Sequence, residues 1–195
     1  MTVTIVRYNA GNVKSVTNAL DRIGVPYVVS GDCEELRSAE RIIFPGVGEA
    51  ASAMAYLRST GLDRVLREAK VPVLGICLGL QLLCSESDEG DTKCLGILAG
   101  RVERFITPRK VPHTGWSEVR NLNHPVFAGI PDGSYFYFVH SYRLEECVDT
   151  VARCVYGESF SAAAATGNFI GVQFHPEKSA EVGERLLRNF VEWQV

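Results

Sequence analysis

A single cysteine stands between two glycines in Gly75-Ile76-Cys77-Leu78-Gly79, after the apolar residues 71–76 and before the helix-like residues 78–83. A Gly-x-Cys-x-Gly segment at a strand-to-helix transition is the thiol counterpart of a nucleophile elbow, where small neighbours let a strained residue stand clear of the backbone. The first turn of a helix beside the sulfur would favour its thiolate. Packing is the competing use, because free cysteines are among the most buried residues. A nucleophile also needs a base, and Gln173-Phe174-His175-Pro176-Glu177 offers one. Pro176 biases His175 toward an extended conformation, in which His175 and Glu177 would point to the same side. The imidazole could then face a thiol, with the carboxylate behind it fixing the tautomer and supporting the imidazolium. A plain surface turn would use the same three residues. The third stretch is Phe44-Pro45-Gly46-Val47-Gly48, whose glycines would let backbone N–H groups turn toward a neighbouring oxyanion. It matches no phosphate-binding fingerprint.

These groups need elements to hold them. Strands are expected at residues 3–6, 27–29, 42–44 and 71–76, and helices at 13–23, 34–38, 50–58 and 62–69, with Gly24 capping the first helix. Strands that are apolar throughout, rather than alternating, indicate a parallel sheet covered on both faces. Ligand sites in such sheets collect at the C-terminal ends of the strands, where Gly46 to Gly48 and Cys77 are expected. From Gly96 onward the expected strands are denser and often aromatic, at 101–105, 117–120, 135–140, 151–155 and 170–174. Val182, Leu186, Leu187, Phe190 and Val191 then mark a C-terminal amphipathic helix. The expected fold is α/β: an open, mostly parallel central sheet with helices on both faces and added antiparallel strands in the second half. No repeat or linker divides it, so residues 1–195 are read as one domain.

Composition narrows the function. Hydrophobic residues make up 46% of the 195 and charged residues 22%, the balance of a globular chain. A net charge of −3 without a basic run argues against nucleic acid as a partner. The start resembles no secretory leader and no long apolar run occurs, so a soluble cytoplasmic chain without membrane contact is expected. The six cysteines are dispersed, with no CxxC pair and no His/Cys cluster at zinc spacing. Reduced thiols are expected, with neither a metal nor another cofactor.

Gly75 to Gln81 (GICLGLQ), the downstream FHPE and the upstream PGVG, in that order, resemble the class I (triad) glutamine amidotransferases over essentially the whole chain. Pro112-His113-Thr114-Gly115-Trp116 and residues 135–142 (YFYFVHSY) are similar to the glutaminase subunits of imidazole glycerol phosphate synthases, a step of histidine biosynthesis. The resemblance implies that Cys77 attacks the side-chain amide of L-glutamine, with His175 as base and acid and Glu177 orienting it. It implies glutamine contacts at Gly48, Gln81, Ser141 and Tyr142. The N–H groups of Val47 and Leu78 would stabilise the oxyanion, either in place or after the Gly46-Val47 peptide reorients. Ammonia would pass to a separate (β/α)8 cyclase subunit in a heterodimer, met through Trp116, Tyr137 and Lys178. One loop departs from the family pattern: Arg7-Tyr8-Asn9-Ala10-Gly11-Asn12 stands where an acidic or small residue and Tyr-Gly-x-Gly-Asn are usual. That difference bears on partner contacts and leaves the triad untouched. Two other readings stay open from sequence: a glutaminase serving a different synthase, and a noncatalytic protein that senses oxidants through Cys77.

Overall fold

The computed structural model describes residues 1–195. Its first half alternates strand and helix: β1 (Val3–Val6), α1 (Val13–Ile23), β2 (Tyr27–Ser30), α2 (Cys33–Arg37), β3 (Arg41–Gly46), α3 (Ala50–Thr60), α4 (Leu62–Glu68), β4 (Val73–Cys77) and α5 (Leu78–Leu83). Strands dominate the second half: β5 (Glu86–Ser87), β6 (Thr92–Lys93), β7 (Arg101–Arg104), β8 (His113–Arg120), β9 (Ser134–His140) and β10 (Tyr142–Leu144). They are followed by β11 (Thr150–Tyr156), β12 (Glu158–Thr166), β13 (Phe169–Val172) and the closing helix α6 (Ala180–Glu192). No helix is long and apolar enough to cross a membrane.

Nine strands form one sheet in the order β2-β1-β3-β4-β13-β12-β11-β8-β9. The β2-β1-β3-β4-β13 half is parallel and the remainder antiparallel, which is the expected architecture. The parallel strands are apolar on both sides because each face has its own core. Val3, Ile5, Ile43 and Leu74 pack with Val16 and Leu20 of α1 and Leu186 and Phe190 of α6. Val6, Ile42, Phe44 and Val73 pack with Met54 and Leu57 of α3, Leu66 of α4 and Leu80 of α5. Each such side chain contributes about 1.5–3 kcal/mol through burial, so the sheet is locked between two layers. A smaller sheet, β10-β7-β5-β6, adds Val102 and Leu144 to the second core.

Apart from the short strands β5, β6 and β10, read as no element, and shifts of a residue or two at element ends, three local expectations change. Residues 158–166, read as no element, form β12; alanines are depleted in strands, but here Ala162, Ala163 and Ala164 are fully buried. Two flanking strands and two covered faces outweigh their propensity. β8 begins at His113 rather than at residue 117, because the aligned β9 pairs His113 with His140 and Trp116 with Tyr137. Finally, Pro176–Lys178 is a single 3-10 turn rather than extended chain.

Candidate active site

Parallel pairing gathers the three motifs at one edge of the sheet. Gly46 at the end of β3 lies opposite Cys77 at the end of β4, and Ile76 lies opposite Val172 at the end of β13. Cys77 has φ 55° and ψ −108°, a backbone state that side-chain-bearing residues rarely adopt and that costs about 1–3 kcal/mol. The flanking glycines permit it by close approach. A Cβ on Gly79 would run into the Phe44 carbonyl oxygen, and one on Gly75 would come within 2.8 Å of the Gly79 carbonyl carbon. The sulfur therefore sits at the start of α5, as an elbow requires.

His175 and Glu177 do come together, by a different route from the one expected. His175 is extended, with φ −104° and ψ 94°, and the 3-10 turn then swings Glu177 back beneath the ring. Glu177 Oε1 accepts from His175 Nδ1 at 2.8 Å, and both residues are buried. The turn is pinned: His175 N–H donates to the Tyr137 carbonyl at 2.9 Å, and Ser179 Oγ donates to the His175 carbonyl at 2.7 Å. His175 Nε2 is buried without a hydrogen bond of normal geometry, yet it lies close enough to the Cys77 sulfur to feel its charge. Burial alone would lower the His175 pKa, but the Cys77 sulfur and then Glu177 outweigh it and push the value up to about 10. A protonated imidazolium facing the sulfur is what this arrangement favours.

A cavity of about 300 Å³ opens over the sulfur. Gly48, Gln81, Ser141 and Tyr142 line it together with Val47, Leu78, Glu89, Val139 and His140. Leu78 N–H, in the first turn of α5, has no acceptor within the helix and is available to an oxyanion. The Val47 N–H is occupied, donating to the Ala10 carbonyl at 3.1 Å. Of the two expected oxyanion donors, one is therefore turned away at rest. Gln81 Nε2 donates to the Tyr142 carbonyl at 2.9 Å and to Gln173 Oε1 at 3.0 Å. With both amide protons committed, Gln81 has only its carbonyl oxygen left to offer a ligand.

Sequence reading gave no role to Glu89, His140 or Tyr8. Glu89 sits in a polar turn that looks like solvated surface; its Oε2 accepts the Ala50 N–H at 2.9 Å, and partial burial raises its pKa. That holds an acidic group on the cavity wall. His140 Nδ1 donates to the Tyr142 carbonyl at 2.8 Å, and its Nε2 receives His113 Nδ1 at 3.0 Å. Burial pushes the pKa down to about 3 for His140 and about 4 for His113, so both rings are neutral braces of the wall. The Tyr8 hydroxyl is buried without a partner close to Gly46; burial first, and then the Cys77 charge, raise its pKa. Its place in the family-variant loop was the only signal.

Trp116, Tyr137 and Lys178 lie outside the cavity but together. The Trp116 and Tyr137 rings meet edge to face at 6.1 Å, and Lys178 Nζ lies 5.8 Å from the Tyr137 ring centre. Trp116 is 51% exposed, unusual for a large aromatic that pairs across a sheet.

The Glutamine amidotransferase class-I family matches residues 4–193 of this chain. A Bacteroides thetaiotaomicron protein named Imidazole glycerol phosphate synthase subunit HisH is 47% identical over 195 residues, covering 98% of this chain and 100% of its own. A Bacteroides fragilis protein of the same name is 48% identical over 196 residues, with the same coverage of 98% and 100%. A crystal structure described as glutamine amidotransferase superposes with a TM-score of 0.76 at 23% identity and covers 97% of each chain. At that identity the likeness concerns the fold.

Proposed function

Because the chain belongs to the class I glutamine amidotransferases, we propose that it is the glutaminase subunit of an imidazole glycerol phosphate synthase, acting in the cytoplasm as one domain over residues 1–195. The observation that carries the chemistry is the buried pair His175–Glu177, with the second imidazole nitrogen left free on the side of the Cys77 sulfur. Cys77 attacks the side-chain amide of L-glutamine, and the C–N bond breaks as His175 protonates the leaving nitrogen. This gives a γ-glutamyl thioester and ammonia. His175 then takes a proton from water, which attacks the thioester and releases glutamate and the sulfur. Glu177 keeps the ring in the Nδ1–H tautomer throughout.

The wall groups suit an amino-acid substrate. Glu89 and the free Gln81 oxygen complement its ammonium, while Gly48, Ser141 and Tyr142 surround the rest. The Leu78 N–H supports the oxyanion at once. The Val47 N–H contributes only when the Gly46-Val47 peptide turns and gives up Ala10, which supports slow turnover in the isolated chain. Ammonia is used by a cyclase subunit, read as a (β/α)8 barrel, that meets Trp116, Tyr137 and Lys178. There it yields imidazole glycerol phosphate and aminoimidazole carboxamide ribotide.

The test is glutamine hydrolysis measured with and without a purified cyclase and its ligand. Low basal turnover with strong stimulation is expected; high turnover that ignores the cyclase would sink the coupling. In the same complex, Cys77→Ala abolishes glutamine-dependent synthesis while added ammonia still supports it. Failure with ammonia as well would make the Cys77 role structural.

A further inference from the structure

Gln173 has no part in the mechanism above, yet it is fully buried and touches two residues of the site. Which end of a glutamine amide faces which neighbour is usually ambiguous, but here the partners dictate it. The Tyr142 carbonyl can only accept, so Gln81 presents Nε2 to it at 2.9 Å. The second proton on that nitrogen then goes to Gln173 at 3.0 Å, so the Gln173 atom on that side is the oxygen. The Gln173 nitrogen is thereby forced toward Cys77, where Nε2 donates to Sγ at 3.7 Å. The Tyr142 carbonyl is itself held by His140 Nδ1.

We propose that Gln173 is a further catalytic residue, a hydrogen-bond donor to the nucleophilic sulfur whose orientation is set by Gln81 on the wall of the glutamine cavity. This rests on the reading of Cys77 as nucleophile. A donor gains more from a charged acceptor than from a neutral one, so the bond stabilises the thiolate and fixes where the sulfur points. It also makes the nucleophile and the substrate wall one hydrogen-bonded unit. The titratable groups around the sulfur are His175 with Glu177 behind it, Tyr8 from the loop after β1, Glu89 across the cavity and His140 from β9. All of them stay in place in the variants below.

The experiment follows the rate of Cys77 alkylation by iodoacetamide against pH, read by peptide mass mapping, in wild type, Gln173→Met and Gln173→Glu. Gln173→Met removes the donor at similar length; its alkylation midpoint is expected about one pH unit higher, with roughly tenfold slower reaction below the midpoint. Gln173→Glu keeps an acceptor for Gln81 and places a carboxylate by the sulfur, so its shift is at least as large. It supplies the comparison if Gln173→Met does not fold. Gln81→Met leaves Gln173 in place but removes its orienting donor, and a smaller shift in the same direction is expected. A midpoint equal to wild type in a variant with wild-type melting overturns the proposal. Glutamine should protect wild-type Cys77 from alkylation; absent protection with the shift intact faults the glutaminase reading and leaves the Gln173 bond standing.

Discussion

His175 works between opposing influences: burial strips water from its charge, while the Cys77 sulfur and the Glu177 carboxylate supply charge of the opposite sign. The second influence wins, and the sign has a kinetic consequence. In the proposed mechanism the leaving nitrogen takes a proton from His175, so kcat/KM, which reports the free enzyme, should hold as pH rises and fall as pH passes through about 10. Glu177→Gln removes one of the groups that raise this value, so the alkaline limb of kcat/KM should move to lower pH, with kcat down on the order of 10²-fold. A limb that stays in place, measured in the complex with its cyclase, would show that Glu177 does not tune the ring. The three proposed catalytic positions stand out in the sequence because each comes with an unusual neighbour: glycines around Cys77, a proline between His175 and Glu177. Glu89 and Gln173 carry no such local mark. One resembles surface acid and the other filler in a strand, and only the folded neighbourhood separates them from that background.

At the scale of elements, the elbow depends on how closely α5 approaches β3. Gly79 leaves no room for a Cβ against the Phe44 carbonyl, and a Cβ added to Gly46 would come within 2.8 Å of Leu78 Cβ. Gly79→Ala should therefore displace the helix start, costing about 1–3 kcal/mol, or roughly 2–12 °C in Tm for a chain of this size. The same shift moves the Leu78 N–H and the sulfur, so Cys77 alkylation should change too. Wild-type melting and alkylation would refute the packing account. The parallel strands were readable because burial on both faces leaves an uninterrupted apolar run. β12 was not, since its alanines carry the wrong propensity and become strand only where β11 and β13 supply hydrogen bonds.

Across the whole molecule, the patch of exposed Trp116 and Lys178 with half-buried Tyr137 is connected by backbone to the buried His175. The Tyr137 carbonyl receives the His175 N–H, and the Tyr137 N–H donates to Ser179 Oγ. A partner seated on the patch would press on β9, whose Tyr137 carbonyl holds the His175 N–H. Large exposed aromatics are the usual anchors of interfaces, so Trp116→Ala should raise the cyclase concentration needed for half-maximal stimulation by about tenfold. An unchanged titration would move the interface elsewhere. By itself the sequence determined the fold class and the three chemical motifs, because strand burial, elbow glycines and a proline-fixed turn are written in local residue types. The tertiary structure alone decided which groups meet. Register at the ends of β3, β4 and β13 sets Gly46 beside Cys77, the Val47 N–H is held by Ala10, and donors and acceptors 92 and 96 residues apart orient Gln173. Those contacts depend on partners distant in the chain, and no local pattern of residue types encodes their distance or direction.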